Sequence, residues 1–255
     1  MTFGKLRVAD ERGVRVLTLN NPERRNAIGP QMVNELLHAL EAAHADAGVR
    51  VIVLTGEGSA FCAGGDFTSM NDESGLAHKG DYADLLLAMT RAEKPIVARV
   101  NGHAMGGGLG LVAASTFAIA ETNAKLGTPE IDVGLFPMMI MAVLARLVPR
   151  RALLDMMLMG RKLTAAEAHA IGLVNAVHPA ADLDAAVARV TDALAAKSPI
   201  TIALGLRAFA EQDDMALAEA LPMLRGKLTE ALATEDAQEG LAAFLQKRAP
   251  VWKGR

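Results

Sequence analysis

Two glycine-rich segments carry the strongest chemical signal in this sequence. AGGD (Ala63 to Asp66) follows the buried-strand pattern RVIVLTG, and GGGLG (Gly106 to Gly110) follows a second strand pattern, PIVARVNG, and opens an apolar helix. The first backbone N–H groups of a helix have no intrahelical acceptor and lie at the positive end of its dipole, so they favour an anion. The N–H of Gly65 and the N–H of Gly107 are therefore candidate donors to a negatively charged oxygen, and two such donors make an oxyanion hole. One glycine cluster is explained as well by tight turns and close packing. Two clusters, each behind a buried strand, point to a site.

Other chemistries lose support. The sequence contains no GxxxxGK[ST] phosphate cradle, GxGxxG fingerprint, GxSxG elbow or HExxH pair, which argues against phosphoryl transfer, dinucleotide use, elbow-type hydrolysis and zinc proteolysis. Its six histidines keep no metal-ligand spacing; His38 and His44, six apart, do not stack on one helix face. No metal site is expected. The single cysteine, Cys62, rules out a disulfide framework and suits a reducing compartment, so the cytoplasm is expected.

The elements that must position these glycines are legible. Leu6 to Val8 and then Val14, Val16 and Thr18 alternate at period two around Glu11-Arg12-Gly13, the pattern of a hairpin. Met32, Val33, Leu36, Leu37 and Leu40 recur at helical spacing behind Pro30, a first-turn residue. Strand then glycine turn then helix occurs at Arg50 to Gly56 and again at Pro95 to Gly102, a diverged internal repeat that suggests stacked β/α turns. Beyond Pro149 the sequence turns almost wholly helical, apart from a short strand LVNAV, and ends in three long Ala/Leu-rich stretches between Asp182 and Arg248. Asp72, Glu73, Gly75, Gly80 and Asp81 mark an expected mobile surface loop.

The 255 residues are 51% hydrophobic, 22% charged and 4% aromatic, with net charge −3, a globular composition large enough to bury a core without staples. Few aromatics and no basic stripe argue against nucleic-acid binding. The N-terminus lacks the arrangement of a secretory signal, and every apolar run stops short of the roughly 20 residues that span a bilayer, so no membrane partner is expected.

With these residues in view, the whole sequence resembles the crotonase (enoyl-CoA hydratase/isomerase) family. The resemblance rests on LNNPERRNAIGPQMVNEL (Leu19 to Leu37), SAFCAGGDF (Ser59 to Phe67), KPIVARVNGHAMGGGLGL (Lys94 to Leu111), GTPEIDVGLFP (Gly127 to Pro137), LMGRKLTAAEAHAIGLVNAV (Leu158 to Val177) and EGLAAFLQKR (Glu239 to Arg248). It implies an α/β fold of the Clp/crotonase type: a ββα spiral core over residues 1–195 with the acyl-CoA site, and a C-terminal helical trimerisation region over residues 196–255. The implied assembly is a homotrimer or a dimer of trimers. By the same resemblance, Gly65 and Gly107 polarise the thioester carbonyl, and Ala27, Ala63, Gly65 and Asp66 line coenzyme A. Arg24, Arg25 and Lys247 are the basic groups near its phosphates, with Phe244 packing nearby. Coenzyme A enters as part of the substrate, and no separate cofactor is implied.

The acid/base inventory departs from the family. Two-glutamate hydratases carry one carboxylate three residues beyond the second oxyanion glycine, where this sequence has Gly110, and dienoyl-type isomerases carry an acid where it has Met138. The GTPE carboxylate is present as Glu130. Beside apolar Ile131, Leu135, Phe136 and Met138 its charged form should be disfavoured by desolvation, which suits proton transfer near neutrality. One base suffices for a 1,3-proton shift, so isomerisation is expected over simple hydration. The alternatives are hydration of a branched or carboxylated enoyl-CoA, thioester hydrolysis or decarboxylation on the same oxyanion hole, and a non-catalytic coenzyme A-binding protein.

Overall fold

The computed structural model describes residues 2–66, 68–69 and 71–255; Phe67, which closes the SAFCAGGDF motif, lies outside them. Strands β1 (Leu6–Glu11) and β2 (Val14–Leu19) form the expected antiparallel hairpin. Its two turn residues, Arg12 and Gly13, have φ of 49° and 81°, the left-handed backbone that matches strand twist in a two-residue turn. Helix α1 (Pro30–Ala45) begins at a proline whose missing N–H is one the first turn could not use.

Three strand pairs then repeat one arrangement. They are β3 (Val51–Gly56) with β4 (Ala60–Cys62), β5 (Ile96–Val100) with β6 (His103–Met105), and β7 (Phe117–Glu121) with β8 (Lys125–Gly127). Helix α2 (Tyr82–Thr90) links the first pair to the second, and α3 (Gly107–Ala113) links the second to the third. After them come α4 (Met138–Leu147), α5 (Arg150–Met159), β9 (Lys162–Thr164), α6 (Ala165–Ala170) and β10 (Ala176–His178). The chain closes with α7 (Ala180–Ala195), α8 (Pro199–Gln212), α9 (Leu217–Leu232) and α10 (Glu235–Leu245).

The first strand of each pair joins a six-stranded sheet ordered β1-β2-β3-β5-β7-β10, and the second joins a four-stranded sheet ordered β4-β6-β8-β9. Each ββα turn thus adds one strand to each sheet, which is the crotonase-type spiral. All six residues of β3 are buried because both faces of the large sheet are covered. Ile52 and Leu54 enter the main core with Leu17, Leu36, Phe61 and Leu109. Val51 and Val53 point the other way, onto Leu183 and Val187 of α7, as period-two alternation requires. Among the described residues no single helix is long and apolar enough to cross a membrane.

Two expectations change. The three Ala/Leu-rich stretches are four helices, because Ser198 caps a new helix with Pro199 in its first turn while the composition stays the same across the break. The acidic segment around Asp72 is tied down rather than free. Buried Asn34 donates to Asp72 Oδ2 (2.7 Å) and to the Ala77 carbonyl (3.2 Å) and accepts from the Lys79 N–H (2.9 Å), and Asp81 caps α2 through the Ala83 and Asp84 N–H groups.

Candidate active site

Parallel pairing of β4 with β6 and of β6 with β8 brings the C-terminal ends of three strands side by side, and the candidate site is built from the turns that leave them. After β4, Ile28 forms a single parallel bridge with Gly65: the Ile28 N–H donates to the Gly64 carbonyl and the Asp66 N–H to the Ile28 carbonyl, both at 2.8 Å. After β6, Gly106 donates to the Gly127 carbonyl (2.9 Å) and takes φ of 49°, and Gly107 starts α3. Among the described residues, neither the Gly65 nor the Gly107 N–H has an acceptor within the chain.

Glycine is required here by contact as well as by φ. A Cβ on Gly64 (φ 110°) would lie 3.3 Å from the Met105 carbonyl oxygen, and one on Gly106 would lie 3.7 Å from the Gly64 Cα. The two turns therefore pack backbone against backbone. A Cβ on Gly108 would stand 2.5 Å from the Cys62 carbonyl oxygen, so α3 sits directly on the end of β4. Cys62 is fully buried, which pushes its thiol up to about 12 and leaves it inert as a nucleophile.

The third strand end supplies the carboxylate. Glu130 lies in the 3-10 turn Pro129–Val133 that follows β8, and its Oε1 would be 2.8 Å from a Cβ on Gly106. Burial raises its carboxyl above the ordinary range, with a backbone hydrogen bond opposing. Among the described residues its Oε2 is buried without a hydrogen-bond partner, as is Thr128 Oγ1 two residues earlier. The expected apolar screen is incomplete, since Ile131, Leu135 and Met138 are exposed and only Phe136 is half-buried. The glycine turn provides the covering instead.

Sequence reasoning missed Tyr82, the first residue of α2 and the only tyrosine in the chain. Its hydroxyl donates to the Gly107 carbonyl, and a Cβ on Gly110 would overlap both this hydroxyl and Ile140 Cγ2. The position that lacks a carboxylate has no room for one. Burial, then the nearby Cys62 and Glu130, raise the Tyr82 hydroxyl well above its usual value, so it stays protonated.

Beside the glycine turns lies a polar rim. Arg25 and Asn26 take left-handed backbone (φ 49° and 57°), held by buried Asn26, which donates to the Glu57 and Ala60 carbonyls at 2.9 Å and accepts from the Asn21 N–H. The Ala63 N–H donates to the Arg25 carbonyl (2.9 Å) and the Ala27 N–H to the Arg24 carbonyl (3.1 Å). Arg24 pairs with Asp66 (3.3 Å), whose carboxyl the Thr68 hydroxyl chiefly holds below the usual range against the effect of burial. Arg24, Arg25, Ala27, Ala63, Gly65 and Asp66 are thus gathered, with both arginines exposed. Phe244 and Lys247 are not brought to them within one chain. They lie on and just beyond α10, which packs on α8 and α9, and Phe244 is 80% exposed.

The sequence model described as Enoyl-CoA hydratase/isomerase matches residues 9–255. The chain belongs to the enoyl-CoA hydratase/isomerase family. It is 36% identical over 256 residues to the 2,3-dehydroadipyl-CoA hydratase of Escherichia coli K12, covering 99% of this chain and 100% of that protein. It is 32% identical to the human enoyl-CoA hydratase domain-containing protein 3, mitochondrial, covering 94% of this chain and 80% of that protein. Among solved structures, an enoyl-CoA hydratase of Mycobacterium smegmatis superposes with a TM-score of 0.90 at 32% identity, covering 98% of this chain and 99% of that one. As a member of the enoyl-CoA hydratase/isomerase family this chain has the crotonase fold and is an acyl-CoA enzyme.

Proposed function

We propose that the protein is an enoyl-CoA isomerase that moves a double bond from the 3,4 to the 2,3 position of an acyl-CoA thioester. The observation that carries this reading is the filled space beside Gly110: Tyr82 and Ile140 occupy it, while Glu130 lies against Gly106.

The reaction runs on few groups. The thioester oxygen accepts hydrogen bonds from the Gly65 and Gly107 N–H groups, and the Glu130 carboxylate removes a proton from C2 of the 3-enoyl chain. The electron pair of the broken C–H bond delocalises onto the thioester oxygen as a dienolate, which the two donors stabilise. Glu130 returns the proton to C4, the double bond settles between C2 and C3, and the carboxylate is regenerated. Removing one such donor typically costs about 10²–10³ in rate. Raising the Glu130 carboxyl by burial brings it nearer the pH at which a base is both ionised and strong.

The rim of Arg24, Arg25, Ala27, Ala63 and Asp66 holds the coenzyme A moiety in this reading, with the exposed arginines toward its phosphates. Phe244 and Lys247 reach a coenzyme A only across subunits, as in a homotrimer or dimer of trimers. Exposed Leu217, Leu221, Leu228, Leu241 and Phe244 on the last two helices support such an association. Coenzyme A is part of the substrate, no metal or redox group takes part, and the cytoplasm is the proposed compartment.

A second reading is hydration of a carboxylated enoyl-CoA, favoured by the 36% identity to a 2,3-dehydroadipyl-CoA hydratase. The two separate in one experiment, which compares conversion of trans-3-hexenoyl-CoA to the 2-enoyl isomer with hydration of trans-2-hexenoyl-CoA and of 2,3-dehydroadipyl-CoA. Isomerisation faster than either hydration supports the proposal; hydration of either substrate faster than isomerisation overturns it.

A further inference from the structure

Tyr82 stands at the meeting point of three observations that the proton-shift chemistry does not use. Its hydroxyl donates to the carbonyl of Gly107, the residue whose N–H is the second oxyanion donor. It fills, with Ile140 from α4, the volume above Gly110 on the first turns of α3, and a Cβ on Gly107 would lie 3.6 Å from its oxygen. Burial first, then Cys62 and Glu130, disfavour its ionisation, so the hydroxyl stays a donor. The helix start that carries it is capped: Asp81 accepts from the N–H groups of Ala83 and Asp84 while Asp84 accepts from the Asp81 N–H in return.

We propose that Tyr82 is a specificity-determining residue: with Ile140, its ring and hydroxyl occupy the volume above Gly110 from which a second polar group would hold an attacking water, and so keep the reaction on the proton shift. Hydration needs a water within reach of the base, held by a second polar group and lined up on C3 of the enoyl chain. Such a water requires its own space, about 30 Å³ in the liquid, and two to four polar partners. The Tyr82 oxygen and Ile140 Cγ2 take the space above Gly110, and the Tyr82 proton is already committed to the Gly107 carbonyl. The Oε2 of Glu130, buried and without a partner among the described residues, is then left to the acyl chain. The same hydroxyl bond ties α2 to the first turn of α3, so Tyr82 also fixes the peptide that follows the oxyanion donor.

This inference rests on the isomerase reading and is tested apart from it. For wild type, Tyr82→Phe and Tyr82→Leu, the ratio of trans-2-hexenoyl-CoA hydration to trans-3-hexenoyl-CoA isomerisation is measured, with thermal unfolding as the control for folding. Tyr82→Leu shortens the side chain and empties its outer end, so the ratio should rise by about tenfold or more, part of the 10²–10⁴ that an aligned acid/base group is worth. Tyr82→Phe removes the oxygen but keeps the ring, so its ratio should rise by less than in Tyr82→Leu, while kcat falls with the loss of the bond to Gly107. If Tyr82→Leu does not fold, Ile140→Ala removes the Cγ2 that faces Gly110 from α4 and must raise the ratio in its place. An unchanged ratio in the folded, space-opening variant overturns the inference, as does a rise in Tyr82→Phe equal to that in Tyr82→Leu. Hydration faster than isomerisation in the wild type refutes the isomerase reading, yet the change in ratio between wild type and Tyr82→Leu still decides the role of Tyr82. Absence of both conversions in the wild type overturns both.

Discussion

Adding one methyl group at Gly108 should cost far more activity than stability. The Cβ of Gly108→Ala would lie 2.5 Å from the Cys62 carbonyl oxygen, 2.6 Å from its Cβ and 2.9 Å from its Sγ, while ordinary contact begins at 3.4 Å. The α3 start must therefore move off β4 by about 0.9 Å in a close-packed interior that has no slack to absorb it. Overpacking of this kind costs about 1–3 kcal/mol, and the better helix propensity of alanine returns about 0.8–1 kcal/mol. A net loss of about 1 kcal/mol lowers Tm by only about 2–4 °C in a domain of this size. The same displacement carries the Gly107 N–H away from the Gly65 N–H, and a misplacement of about 1 Å can cost about 10²-fold in rate. Thermal unfolding and steady-state isomerisation of trans-3-hexenoyl-CoA, run on the same preparation, give both numbers. A kcat within about twofold of wild type, at either Tm, would refute the claim that contact between α3 and β4 sets the donor geometry.

Gly107→Pro removes one donor at a first helical position, where proline is tolerated, so kcat should fall about 10²–10³-fold while circular dichroism keeps its shape. Glu130→Gln should abolish exchange of the acyl C2 protons with solvent deuterium, read by mass spectrometry, without loss of acyl-CoA binding. Because burial raises the Glu130 carboxyl, wild-type kcat should fall with decreasing pH sooner than an ordinary carboxylate would dictate. A raised carboxyl stabilises the fold only at low pH and that contribution is lost as pH rises, so Glu130→Gln should match or exceed wild-type stability at pH 7 in urea unfolding. Asp236 is the opposite case. Its burial favours the neutral form, but the Ser198 hydroxyl and the Lys253 and Gly254 N–H groups outweigh that and hold the carboxyl below its ordinary range. Asp236→Ala should lose about 1–3 kcal/mol at pH 7 and release the C-terminal tail to proteolysis, and the gap from wild type should close as pH falls through the Asp236 pKa.

Legibility in the sequence followed the range of the interaction. The β1–β2 hairpin and the start of α1 are set by neighbours a few residues apart, through alternation and Pro30, and both emerge as expected. The glycine turns are legible because Gly64 and Gly106 answer to φ and Gly108 to close approach, demands that glycine alone meets. Glu130 follows from the family resemblance, and the structure places it on the third strand end of the same sheet. Tyr82 left no such trace, since its partner Gly107 lies 25 residues away on another turn of the spiral and no periodicity links them. Asn26 is equally silent: a polar residue in a polar stretch, it becomes structural only when β4 closes over it. The break between α7 and α8 is hidden by uniform composition, and Phe244 and Lys247, on α10 and just beyond it, are not brought to the glycine turns within one chain.

The two-sheet spiral also bears on how activity is acquired during folding. Apart from the β1–β2 hairpin, the pairings of the large sheet join residues distant in sequence, such as Val14 with Val51, Ile52 with Ile96 and Ile119 with Ala176. Chain topologies of this kind fold in milliseconds to seconds rather than microseconds, because each closure must be made before its contacts stabilise it. The two proposed oxyanion donors come from consecutive turns and the proposed base from the next, so no one turn carries the whole site. Recovery of catalysis in a refolding experiment is thus a clock for the stacking of the third turn on the second, and it should lag the recovery of helical signal from the C-terminal region.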